Sequence, residues 1–145
     1  MMSSKTRLYK CPVCDTVVEL LEECGLELTC CGPAMIALVE KTEPVSSEHQ
    51  ITAAWVDGGI VVRVGSPIHV MDEDHRISWI EVQTGRKMYR QFLQNGDSAE
   101  IHFPLQCRDV IIRAYCTVHG LWKVTSAPVE QRLGIAVHAS AAAQG

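Results

Sequence analysis

This sequence has no long apolar run, no basic stripe and no long amphipathic helical pattern. No stretch of its 145 residues is apolar enough for long enough to cross a bilayer as a helix. The opening MMSSKTRLYK carries some positive charge but no apolar core behind it, which argues against a secretory signal. A net charge of -4 without clustered Lys and Arg argues against a nucleic-acid binder. The expected setting is therefore the cytoplasm, where thiols stay reduced. Against these absences stand seven cysteines and six histidines. In a reducing compartment, cysteines this frequent and odd in number favour metal ligation over disulfides.

The apolar content of 47% and charged content of 21% are ordinary for a globular chain, long enough for one mid-sized domain or two small ones. Composition shifts near residue 43. Residues 8–43 hold Cys11, Cys14, Cys24, Cys30 and Cys31. A piece this short cannot build a large core and needs a metal staple. Within it, VVELLEECG reads as a short helix or as strands of a metal knuckle. KTEPVSSEHQ follows and reads as a linker.

From Ile51 the pattern is β. ITAAWVDGGIVVRV places two apolar runs around Asp57-Gly58-Gly59, a hairpin signal. ISWIEVQ, RKMYRQFL, AEIHFPL, DVIIRAYC and LWKVTSA follow, with a turn at Asn95-Gly96-Asp97. About seven short strands with turns between them predict an antiparallel sandwich of the immunoglobulin type. The expected divisions are 1–43, 44–126 and a C-terminal extension, 127–145, whose Ala-rich end is expected to be partly mobile.

Two constellations carry chemistry. Cys11-x2-Cys14 and, after fifteen intervening residues, the adjacent Cys30-Cys31 can close a tetrahedron of thiolates. Spacing alone leaves iron and zinc both open, with disulfides less favoured. Two neighbouring residues share one metal only with strained angles, so a distorted tetrahedron is expected. Cys24 fits neither pair and reads as a small buried residue, as does Cys107.

The second constellation is His49, His69, His75, Cys116 and His119, all at predicted strand or loop ends. A histidine taken singly is more often a surface or hydrogen-bonded residue than a ligand. Together, four imidazoles and a thiolate exceed what structural zinc takes and suit a square pyramid around iron with one position open. His102, within a predicted strand, and His138, in the tail, read as structural.

With both sets laid out, the chain resembles the desulfoferrodoxins, the two-iron class of superoxide reductase. YKCPVC and TCCGPAM resemble the desulforedoxin-like iron domain. GSPIHVMDEDHRISWIEV resembles the stretch carrying two iron-binding histidines, and YCTVHGLWK the Cys-x2-His-Gly ending. YRQFL before an Asn-Gly turn also fits. The likeness spans about residues 8–124.

The resemblance implies a mainly β chain: a small desulforedoxin-like knuckle followed by an immunoglobulin-like antiparallel sandwich. It implies two irons per chain, the first on Cys11, Cys14, Cys30 and Cys31. The second would take His49, His69, His75 and His119 in a plane, with Cys116 axial. The implied activity is one-electron reduction of superoxide to hydrogen peroxide without dioxygen, in a homodimer re-reduced by a rubredoxin-like donor. Amides of Val118 and His119 are expected to donate to the Cys116 sulfur and temper it.

The sequence departs from the family at one place. The family reads Glu-Lys-His at its first histidine ligand, the glutamate capping ferric iron and the lysine attracting superoxide. This chain reads Ser47-Glu48-His49. Either Glu48 takes over the cap, or the loop is solvated and the sixth position stays open. An anionic mouth is expected to slow superoxide capture. Arg76 and Lys123 are the candidate compensating cations. Two other classes remain as alternatives: an electron-transfer or redox-sensing protein working through the four-cysteine iron, and a zinc-stabilised binding module.

Overall fold

The structure, a computed structural model, describes residues 6–22, 25, 27–42, 47–106 and 109–125. Cys24, Cys107, His138 and the C-terminal extension lie outside the described residues. The chain divides between Val39 and Glu40 into two compact units.

The first unit is a three-stranded antiparallel sheet of order β2-β1-β3, with β1 Arg7–Lys10, β2 Val17–Leu20 and β3 Ile36–Ala37. VVEL is therefore strand, its register fixed by Leu8 opposite Glu19 and Tyr9 opposite Val18. Among the described residues of this unit only Leu8 and Cys11 are buried and apolar, so they give the sheet little core.

The second unit contains seven strands: β4 Ile51–Val56, β5 Gly59–Val64, β6 Ile77–Thr84, β7 Lys87–Phe92, β8 Glu100–Phe103, β9 Ile111–Cys116 and β10 Gly120–Thr125. They form two antiparallel sheets, β10-β9-β6-β7 and β4-β5-β8. The Asp57-Gly58 turn joins β4 to β5 as the sequence predicts. Alternate residues of both sheets meet in one core: Ile51 and Ala53, Ile60 and Val62, Ile80 and Val82, Ile101 and Phe103, Ile112 and Ala114. This alternation produces the expected sandwich.

The four-stranded sheet is also covered on its other face. Trp79, Ile111, Tyr115 and Leu121 are buried outside the central core. Among them lies a charged network. The fully buried Glu81 binds Arg113 and Arg90, Arg113 also reaches Glu40, and Lys123 joins Glu40. Each buried charge has an opposite charge beside it, the condition on which burial is tolerable. Arg90 also lies over the Trp79 ring, 4.7 Å from its centroid. No helix among the described residues is long and apolar enough to cross a membrane.

Candidate metal centres

The first cluster joins two loops. One runs from β1 to β2 through Cys11-Pro-Val-Cys14, closed by the Cys11 amide donating to the Thr16 carbonyl at 2.8 Å. The other is pinned by the Thr29–Ala34 bridge and presents Cys30-Cys31. Adjacent residues on extended backbone point to opposite faces. Cys31 escapes this with φ of 56°, so both sulfurs turn to one side. The expected strain of a Cys-Cys pair is thus carried by the backbone at Cys31. Cys14 Sγ stands 3.6 Å from Cys30 Sγ, and Cys30 Sγ 3.9 Å from Cys31 Sγ. A tetrahedral ion at about 2.3 Å from each sulfur spaces the sulfurs by about 3.8 Å, so the thiols fit one.

Their electrostatics say the same. The Thr16 hydroxyl and amide beside Cys14 bring its thiol down to about 6. Hydrogen bonding to Cys11 and Cys14 pushes Cys30 up to about 12. Cys31 is raised, chiefly by Cys14. Four thiols this close cannot all ionise unless a cation joins them. The amides of Val13 and Cys14, each 3.4 Å from Cys11 Sγ, supply donors to a thiolate there.

The second cluster gathers at one end of the sandwich. His49 ends a 3-10 turn, Ser47–His49, just before β4. His69 and His75 lie in the β5–β6 connection, Cys116 closes β9, and His119 sits in the β9–β10 turn. Neighbouring rings follow a closed circuit. The centroid separations are 4.9 Å for His49–His69, 4.7 Å for His69–His75, 5.1 Å for His75–His119 and 4.7 Å for His119–His49. Four imidazoles so arranged surround one point. His49 Nε2 and His69 Nε2 are 3.3 Å apart, close to the about 3 Å between adjacent nitrogens of a square around a metal at about 2.1 Å. Cys116 Sγ lies 3.6 Å from His69 Nε2 and 3.7 Å from His119 Nδ1.

Local contacts fix which nitrogens face inward. His69 Nδ1–H donates to the Val70 carbonyl at 2.6 Å, leaving Nε2 with its lone pair. His119 presents Nδ1. His75 Nε2 is buried without a hydrogen-bond partner, which a metal would remedy. Burial, with His69 adding to it, lowers His49 to about 4, and burial lowers His69 too. Both therefore stay neutral, as ligands must. Burial pushes the Cys116 thiol up, while the amides of His119 and Val118 draw it back. The His119 amide donates to Cys116 Sγ at 3.4 Å, as expected from the sequence.

The turn before β4 is locked to the turn after β5. The Ser47 hydroxyl donates to the Ser66 carbonyl at 2.5 Å, and the Ser66 amide donates back to the Ser47 carbonyl at 3.0 Å. Gly65, at φ of 92°, passes so close that a Cβ there would meet His69 N at 2.6 Å, Pro67 O at 2.8 Å and Glu48 O at 2.9 Å. Only glycine fits this position, and it sets His49 beside His69. Ser47 thus serves the loop. Glu48 turns to the histidines instead: its carboxylate lies 3.9 Å from His49 Nδ1, 3.8 Å from His69 Nε2 and 3.5 Å from His75 Nε2.

The structure brings together every residue expected at either centre. It does not bring Arg76 or Lys123 there as counter-charges. Arg76 donates to the Glu73 carbonyl at 2.9 Å, and Lys123 pairs with Glu40 at 3.1 Å. His102 stands on β8, outside both clusters. Sequence reasoning missed three contributors. Thr16 follows Cys14 by two residues and was open to discovery as a hydroxyl near a ligand. Trp122 stacks on His49, 4.8 Å between centroids and 6° from parallel. Lys41 donates to the His119 carbonyl at 2.6 Å across 78 positions of sequence, with no local signal.

Both donor sets fit the two iron centres that the resemblance implies. The profile described as Desulfoferrodoxin matches residues 35–125, and that described as Desulfoferrodoxin, N-terminal domain matches residues 3–38. The chain is 43% identical over 122 residues to the desulfoferrodoxin of Syntrophotalea carbinolica, covering 83% of this chain and 97% of that one. It is 39% identical over 123 residues to the desulfoferrodoxin of Desulfarculus baarsii, covering 84% and 98%. Its fold is similar to the superoxide reductase of Treponema pallidum, with a TM-score of 0.67 and 20% identity over 82% of this chain and 97% of that one. Two profile matches in order along the chain, with full-length relatives above 30% identity, show that it belongs to the desulfoferrodoxin family.

Proposed function

We propose that the protein is a superoxide reductase carrying one iron at each centre and working at the second. The observation that carries this reading is the closed circuit of four imidazoles with the Cys116 sulfur against it. Iron held there would supply the one electron that, with two protons, converts superoxide to hydrogen peroxide.

The chain's own residues set the conditions. His49, His69, His75 and His119 would hold the iron, with Cys116 as a thiolate whose donation the His119 and Val118 amides would temper. Trp122 lies flat against His49 and limits its tilt. Glu48, facing three imidazoles, takes the capping position that the family glutamate holds and Ser47 does not. Protons then come from solvent, since no lysine stands at position 48.

Cys11, Cys14, Cys30 and Cys31 hold the first iron as an electron-transfer or structural centre. The reading includes a homodimer, a rubredoxin-like donor and a cytoplasmic setting, the compartment in which thiols stay reduced. The test is metal analysis of anaerobically purified protein with peroxide and dioxygen measured together during superoxide consumption. Two irons and peroxide without dioxygen support it. A colourless zinc protein, or dioxygen formed alongside peroxide, refutes it.

A further inference from the structure

Lys41 is tied into the sandwich beside the second centre. Its amide donates to the Leu121 carbonyl at 2.9 Å, and its carbonyl accepts from the Lys123 amide at 2.9 Å. These two bonds fix its Cα alongside β10. The side chain then reaches the β9–β10 turn, where Nζ donates to the His119 carbonyl at 2.6 Å. The ammonium lies directly against the turn, where a Cβ at Gly120 would meet Nζ in ordinary contact at 3.6 Å. The same ammonium lies 5.2 Å from the centroid of Trp122, the ring stacked on His49. One positive charge thus touches the backbone of one ligand and the aromatic support of another.

Arg113 and Lys123 are paired with the Glu40 carboxylate, and the Arg76 guanidinium donates to the Glu73 carbonyl. The position of the family lysine carries Glu48, an anion. The field of Lys41 also acts on Cys116 in favour of the thiolate.

We infer that Lys41 is a positioning residue of the second centre, its ammonium raising the ferric/ferrous potential through the His119 carbonyl and the Trp122–His49 stack. Reduction adds one electron and lowers the charge of the centre by one. A fixed positive charge nearby therefore favours the ferrous form. The inference rests on the reading that Cys116 and His119 hold iron.

The test is an equilibrium redox titration of the iron-loaded full chain, following the second centre's visible absorption, for wild type, Lys41→Met and Lys41→Arg. Lys41→Met is expected to move the ferric/ferrous ratio about threefold to tenfold toward ferric at fixed potential, tenfold being about 59 mV for one electron. The shift should shrink as salt screens the exposed charge. Lys41→Arg should restore most of it. A wild-type ratio in Lys41→Met overturns the inference. Equal shifts in Lys41→Met and Lys41→Arg also overturn it, since the contact rather than the charge would then matter. If Lys41→Met does not fold, Lys41→Gln carries the same comparison. A wild-type protein with no second iron couple refutes the iron reading itself.

Discussion

Replacing Glu48 with alanine removes the carboxylate that, among the described residues, faces the histidine circuit. Its oxygens lie between 3.5 and 3.9 Å from three ring nitrogens, while its side chain remains 38% exposed. An approaching superoxide anion would meet this charge at comparable range. Two unit charges 4 Å apart repel by about 1 kcal/mol in water and about 4 kcal/mol at an effective dielectric of 20. The exposure of Glu48 places it near the aqueous end, at about 1 to 2 kcal/mol. That corresponds to roughly a 5- to 30-fold faster capture of superoxide in Glu48→Ala. The assay is pulse radiolysis or stopped flow at several ionic strengths. In wild type, salt should speed capture by screening the anion, and in Glu48→Ala this slope should flatten. The resting ferric centre should also change its visible spectrum as the cap is lost. An unchanged rate with an unchanged salt slope would refute both the steering and the capping roles.

Gly65→Ala should destabilise the sandwich by about 2 to 5 kcal/mol, combining a positive φ with three backbone contacts under 3 Å; thermal melts and iron retention at the second centre check this. In the metal-free protein, His49 is lowered from 6.5 to about 4. The unfolded chain therefore takes up its proton first as pH falls. The resulting stability, up to about 3 kcal/mol, is complete above pH 6.5 and is lost between 6.5 and 4. Urea unfolding at pH 7.5 and 4.5 reads the loss, and equal midpoints would contradict it. Cys14→Ser should cut iron from two to one per chain and remove the first centre's visible absorption. Superoxide consumption should continue; its complete loss would show that the two centres do not act separately.

The alternation of Ile51, Ala53, Ile60 and Val62 and the Asp57-Gly58 turn made β4 and β5 legible, because period-two burial and hairpin chemistry are local. Cys11-x2-Cys14, Cys30-Cys31 and Cys116-x2-His119 were legible for the same reason: their spacing is short. His69 and His75 were legible as loop-end candidates, and the family resemblance strengthened them, since nothing in their immediate sequence says that both rings turn inward. The left-handed backbone at Cys31 resolved what spacing only flagged as strain. ISWIEVQ reads as a strand buried on at least one face, and in β6 Glu81 and Gln83 are buried as well, because a charged network covers the other side. Such a network spans Glu40, Glu81, Arg90 and Arg113, which no sequence period links. The sequence left two readings of Ser47-Glu48, a cap supplied by Glu48 or a solvated loop. The contacts of the two residues divide the work, with Ser47 fastening the loop and Glu48 facing the histidines.

The most direct measurement of the central claim is the stoichiometry of products when anaerobically purified, iron-analysed and reduced protein meets a known pulse of superoxide. The account predicts two irons per chain and one hydrogen peroxide per superoxide consumed, with one electron withdrawn from the protein each time and no dioxygen. One dioxygen for every peroxide, or consumption without oxidation of the second centre, would contradict it.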